Sequence, residues 1–137
     1  MMMNEYKAMM EEIVQIQHQS KQFLQLLTAD EVLPASQLTL LVQLAVNGGM
    51  KVTEIADFVG VTPGAVTAIC DKLEKQSLVM RARDQQDRRV VKIRLTDEGY
   101  LLVESLFHKF STDKIEHITT TLKQVNQLMQ TITNYDN

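Results

Sequence analysis

Asp87, Arg88 and Arg89 stand side by side in a polar run, residues 84–89. A carboxylate two residues from a guanidinium can hold the arginine fork in one orientation through a bidentate pair. An arginine presented at the end of a hairpin gains from the strong negative potential of a narrow minor groove. A second group lies upstream, in Thr62, Pro63, Gly64, Ala65, Thr67, Ala68 and Lys72. Pro63, Gly64 and Ala65 are small, so the backbone there can approach base edges closely. Thr67 can donate or accept at a base edge or a phosphate. Thr62 and its neighbouring amides suit a phosphate at a helix N-terminus, and Lys72 suits a phosphate as a point charge. These ten residues are the candidate DNA-binding set. Few of them are strong base readers, so phosphates and DNA shape are expected to carry much of the affinity.

Other chemistry finds less support. There is no Gly-rich phosphate loop, no nucleophile motif and no paired carboxylates in a catalytic context, so no catalytic residue and no cofactor is assigned. His18, His108 and His117 lack close metal-ligand spacing, and Glu104 and Glu116 do not complete a site, so no metal is expected. Cys70 falls on an apolar helical stripe, where cysteine behaves as a small hydrophobe rather than a redox centre.

The elements that would position the candidates can be read from period and punctuation. Residues 5–27 read as a helix with Met9, Ile13, Ile16, Phe23, Leu24 and Leu27 recurring on it. Pro34 is expected in the first turn of a second helix, about 35–46, which stops at Asn47-Gly48-Gly49. Thr53 is expected to N-cap a third helix that ends at Gly60. Thr62 caps the next, with Pro63 at its first position, and Val66, Ile69, Cys70 and Leu73 form its buried stripe. Two helices joined by a short turn containing Gly are a helix-turn-helix. The period then changes to strands at 79–83 and 90–95, with the arginine-rich run between them as a wing. Thr96-Asp97-Glu98 opens a further helix, Ser111-Thr112-Asp113 marks a break and restart, and the last helix carries a heptad seam of Ile115, Leu122 and Met129 with Ile118, Val125 and Ile132.

This is a mainly α fold with a small β-hairpin wing. The expected organisation is an N-terminal dimerisation helix over 1–34, a winged helix-turn-helix over 35–96, and C-terminal dimerisation helices over 97–137. The terminal helices are amphipathic and flank a core too small to cover them, which favours burial against a second copy. The N-terminal methionines (Met1, Met2, Met3, Met9 and Met10) can line an adaptable apolar surface.

Bulk properties agree. The chain has 137 residues, 45% of them hydrophobic, with one cysteine and a net charge of -3. Whole-chain charge does not announce a polyanion partner, but its placement does: residues 51–94 hold nine basic side chains against six acids, and residues 79–94 hold six against two. The start, Met1-Met2-Met3-Asn4-Glu5, lacks the pattern of a signal peptide, and no apolar run approaches a membrane span. The sequence thus reads as soluble and cytoplasmic, with no membrane partner.

The run from Val61 to Val79 resembles the recognition helix of MarR-type regulators, the multiple-antibiotic-resistance regulator family. Arg81, Arg83 and Asp87-Arg88-Arg89 follow it, then Leu95-Thr96-Asp97-Glu98-Gly99. The family's wing element Asp-x-Arg falls on Asp87 and Arg89, and its Leu-Thr-x-x-Gly helix start on Leu95, Thr96 and Gly99. The resemblance implies a homodimer that binds double-stranded DNA at a palindromic operator and represses transcription. It also implies relief by a small apolar or phenolic effector, bound between the dimer helices and the winged domain. It makes Arg89 the minor-groove residue and Asp87 its positioner. Two positions depart from the pattern. Ser77 stands where the family usually has Gly after the recognition helix, which suggests a slightly different C-cap, and Ala68 where a larger polar or basic residue is common, which leaves one direct base contact either missing or replaced by apolar contact with a thymine methyl. A winged helix can instead hold a protein partner and touch no DNA; such a module would show an apolar patch at the wing in place of Arg88 and Arg89.

Overall fold

The structure is a computed structural model and describes residues 2–135, without the side chain of Met2; Met1, at the head of the methionine run, lies outside the described residues. The elements are α1 (Met2–Thr28), α2 (Ala35–Asn47), α3 (Val52–Val59), α4 (Pro63–Lys75), β1 (Val79–Arg83), β2 (Val91–Leu95), α5 (Asp97–Phe107) and α6 (Thr112–Thr133). The chain divides into two compact units, with the division between Val103 and Glu104.

In the first unit α1 packs on α2 at its C-terminal end, where Phe23, Leu27 and Thr28 are half-buried, while residues 3–22 are exposed. Pro34 is the N-cap of α2 rather than part of its first turn: with φ -59° and ψ 151° it is extended. Its carbonyl accepts from the Gln37 and Leu38 amides at 3.0 and 3.1 Å. The helix buries Leu38, Leu40, Leu41 and Leu44 and ends at Gly48, whose φ of 74° only glycine adopts without strain.

The start of α3 differs from the expectation. Lys51, not Thr53, is the N-cap, and the Glu54 carboxylate accepts the Lys51 amide at 3.1 Å, the back-reaching half of a capping box. The reason lies across the sheet. Met50 exchanges two backbone hydrogen bonds with Ile93, at 3.0 and 2.7 Å. This holds the chain extended up to the residue before Lys51 and leaves Thr53 inside the first turn. Gly60 ends α3 in the left-handed region, as expected. Thr62 caps α4, its Oγ1 accepting the Ala65 amide at 3.1 Å. The two helices are bent by 109° across the turn, within the helix-turn-helix range. Val66, Cys70 and Leu73 of α4 are fully buried and Ile69 is half-buried. Among the described residues no single helix is long and apolar enough to cross a membrane.

The helix α4 ends in a Schellman turn. The Ser77 amide donates to Glu74 O at 3.0 Å and the Leu78 amide to Leu73 O at 3.0 Å. This places Ser77 at φ 63°, the one non-glycine residue at positive φ among those described. β1 and β2 pair antiparallel with Val79 opposite Leu95 and Arg83 opposite Val91. The strand β2 begins at Val91, one residue later than the alternation suggests, because Val90 closes the loop by accepting from the Asp84 amide at 2.9 Å and donating to Asp87 O at 3.0 Å. Ile93 and Leu95 face the core, while Val91, nearest the tip, is 42% exposed. Thr96 returns the chain to the helix turn: its amide donates to Leu78 O at 3.1 Å, and its hydroxyl donates to Ser77 O at 2.6 Å and accepts from the Gly99 amide at 3.0 Å. Gly99 lies so close to the Leu78 carbonyl that a Cβ would overlap the oxygen.

In the second unit Ser111 caps α6 by accepting from the Lys114 amide at 3.2 Å. The seam on α6 faces solvent in the single chain: Leu122, Val125 and Met129 are 39, 47 and 38% exposed.

Two substitutions at the turn are expected to act in opposite directions. Ser77→Gly relieves a left-handed side chain and raises unfolding free energy by about 1 kcal/mol. Gly99→Ala forces α5 from the Leu78 carbonyl and lowers it by about 2 kcal/mol. Urea denaturation followed by circular dichroism measures both midpoints.

Candidate nucleic-acid interface

On α4, Pro63, Gly64, Ala65, Thr67, Ala68 and Lys72 are all exposed, as is the cap Thr62. The buried stripe fixes this face, since Val66, Cys70 and Leu73 point into the core. Two of the hydroxyls are already engaged. Thr62 Oγ1 serves the Ala65 amide, and Thr67 Oγ1 donates to Pro63 O at 3.0 Å. Thr67 therefore presents lone pairs outward while Thr62 keeps its O–H free to donate, so the candidate face of α4 is smooth and small-sided, with Lys72 as the cation of the candidate set.

The hairpin tip is more constrained than a polar loop need be. Arg83 Nη1 donates to the Arg88 carbonyl at 2.8 Å. Arg89 reaches back to Asp87 with three donors: its amide to Oδ1 at 3.1 Å, Nε to Oδ1 at 3.1 Å and Nη2 to Oδ2 at 3.2 Å. The structure thus forms the bidentate pair that the Asp-x-Arg spacing allows, while the Arg89 side chain stays 91% exposed. The Arg89 guanidinium first, then the Arg89 amide, hold the Asp87 carboxyl below the usual aspartate range. Arg88 is exposed beside the pair. The tip, residues 84–90, shows no exposed large hydrophobic side chain.

One positioning contact escaped the sequence reading. Arg81 lies in the same inward row of the hairpin as Val79 and Ile93, yet it ends in two carboxylates of α4, with Nη2 to Asp71 Oδ1 and Nη1 to Glu74 Oε1 both at 2.7 Å. The hydrogen bond that Arg81 donates to Asp71 raises its already high pKa. This bridge ties the wing strand to the helix whose N-terminal face carries the candidate set. The available signal was acids spaced i, i+3 on α4 followed by a cation at an inward strand position. Cys70 is buried on α4, and burial pushes its thiol pKa up, with the Arg81 charge opposing, which disfavours the thiolate. His108 Nε2 sits 3.7 Å from Glu104, and among the described residues no group of His, Cys, Asp or Glu could hold a metal.

Against known proteins, residues 33–91 match the MarR family model. That segment holds α2, the helix-turn-helix, β1 and the wing tip with its Asp87–Arg89 pair. Over that segment the chain is similar to the MarR family. It is 44% identical over 75 residues to the HTH-type transcriptional repressor MdtR of Bacillus subtilis, an alignment covering 55% of this chain and 48% of that protein. The chain spans about half the length of such curated relatives, 48 and 60% for two of them. A MarR family protein from Bacillus stearothermophilus superposes with a TM-score of 0.68 at 24% identity, covering 93% of this chain and 97% of that one. A mutant MarR from E. coli complexed with operator DNA superposes at 0.60 and 20% identity, over 91 and 98% of the two chains. These likenesses establish the winged-helix fold.

The wing pair has a spectroscopic consequence. Asp87 contributes stability above the normal carboxylate range and loses it as pH falls through its own lowered pKa. Carbon-detected NMR titration of the side-chain carboxyl should therefore find Asp87 titrating below the usual aspartate range. In Arg89→Ala its midpoint should return to that range.

Proposed function

We propose that this chain is a sequence-specific DNA-binding transcriptional regulator, a repressor, that acts as a homodimer on a palindromic operator. The observation that carries the reading is the Asp87–Arg89 pair, an exposed guanidinium held in a fixed plane at the tip of a hairpin. Thr62, Pro63, Gly64, Ala65, Thr67, Ala68 and Lys72 are assigned to the major groove, where the small side chains let the α4 backbone approach the bases. Arg89 enters the minor groove, Asp87 orients it, and Arg88 neutralises phosphate. The relatives support the class of activity: one is named a transcriptional repressor, and one structural neighbour is complexed with operator DNA.

The homodimer is assigned to the terminal helices, the 1–34 and 97–137 segments flanking the winged domain of 35–96. Each carries apolar surface that the single chain leaves open: Ile13 and Ile16 of α1 are 50 and 52% exposed, and the α6 seam is exposed at every position but the half-buried Ile118. Relief by a small apolar or phenolic effector belongs to the same reading. The polar wing tip gives a protein-docking module no apolar patch to work with, so that alternative is set aside.

Fluorescence anisotropy with selection from random duplexes tests the DNA reading. The expected result is a palindrome with half-sites about one helical turn apart, with Arg89→Ala binding at least ~10-fold more weakly. Weak, unselective binding indistinguishable from that of Arg89→Ala would sink it. Sedimentation equilibrium should give twice the 15.6 kDa chain mass, and Val125→Glu on the α6 seam should give the single-chain mass.

A further inference from the structure

The outer face of the hairpin holds a cleft of about 340 Å³ that the DNA reading does not use. It is lined by Gly49, Ala82, Arg83, Lys92 and Arg94, with Asp84, Gln85 and Gln86 along the rim. The strand register explains why it is basic. Ala82 opposes Lys92, and Arg94 comes two residues later on the same face, so both cations of β2 project away from Ile93 and the core. The edge pairing explains why it is concave. Met50, bonded to Ile93, is buried on the core side, which turns the preceding Gly49 to the outer face beside the two basic stems. A Cβ on Gly49 would stand 3.2 Å from Arg94 Cγ and 3.3 Å from Lys92 Cβ. Glycine and alanine thus leave open the space that larger side chains would fill.

Three cations meet one carboxylate here, and the carboxylate does not neutralise them. Asp84 is 3.9 Å from Lys92 Nζ, a loose pair. Arg83 commits one amino group to the Arg88 carbonyl at 2.8 Å. Arg94 makes no ion pair among the described residues and is exposed. A concave surface of one sign concentrates counter-ions, and a guanidinium fork matches the oxygens of a phosphate group.

We propose that this cleft is a phosphate-binding site, with Arg94 as its main ligand and Lys92 as the second charge. The phosphate group has two sources: the DNA backbone, in which case the site rests on the proposed function, or a free phosphorylated small molecule. Arg83 links the cleft directly to the backbone of the wing tip.

The test uses the full chain and two probes. Inorganic phosphate and pyrophosphate are titrated at constant ionic strength while the amide NMR signals of Gly49, Ala82 and Arg94 are followed. The salt dependence of duplex DNA binding is measured in parallel. Wild type, Arg94→Gln, Arg94→Lys and Arg89→Ala are compared, each checked for an intact amide spectrum. Saturable shifts at the three amides, weakened about 10-fold in Arg94→Gln and partly restored in Arg94→Lys, support the site. A fall of about one in the slope of log K against log salt in Arg94→Gln supports it and identifies DNA as the source; an unchanged slope with phosphate saturation retained in wild type identifies a free ligand. The absence of both saturation and a change in slope overturns the site, even if DNA is bound and Arg89→Ala loses that binding. Phosphate saturation in a chain that binds no DNA overturns the regulator reading and leaves the site standing.

Discussion

The turn at Ser77–Leu78 is the joint on which the winged domain depends. Four pieces of chain meet there through backbone groups: the end of α4, the start of β1, the end of β2 and the start of α5. The Schellman bonds close α4, Thr96 binds both the Ser77 and Leu78 carbonyls, and Gly99 packs against the second of them. A buried or half-buried carbonyl left without a partner would be costly, so each bond limits where the others can lie. The result is that both strands of the hairpin leave and return at one fixed point beneath α4. Side-chain packing then needs to set only the direction of the wing, and Val79, Ile93 and Leu95 do so from the buried face.

Arg81 adds a second attachment of a different kind. It is a surface pair with partners in the helix, of the sort that contributes little to overall stability when exposed. Its effect is orientational. Two short charge-assisted bonds to residues three apart on α4 allow one placement of the guanidinium plane, and so one placement of the strand against the helix. The turn fixes where the wing starts, and Arg81 restrains it part-way along.

Much of this was legible because local chemistry and tertiary demand agree. The Thr62-Pro63 helix start, the Gly60 stop, the period change after Leu78 and the Thr96 cap each follow from one or two residues, and each stands where the residues place it. The Asp87–Arg89 geometry was legible for the same reason, since its partners are two residues apart. What escaped depends on contacts between distant segments. The one-residue pairing of Met50 with Ile93 has no local signature, and it moved the α3 cap from Thr53 to Lys51. Arg81 read as one more basic residue because its carboxylates lie seven and ten positions away, on a different element. Ser77 was visible as a departure from glycine, but its left-handed backbone shows that the turn geometry was kept and the side chain absorbed the strain.

The carboxylate at the wing tip has a bearing on how such a protein would move over a polyanion before it stops. An arginine that already shares its charge with Asp87 gains less from a passing phosphate than a bare one, and the acid itself repels the backbone. Ordering a long cation in advance also removes up to about 2 kcal/mol of rotamer entropy from the moment of docking. Both effects lower the reward for loose, misaligned encounters relative to the fully seated one. On the proposed function the tip would be a poor adhesive and a sensitive gauge: residence on the wrong stretch of duplex would be shortened, and scanning would be faster for it.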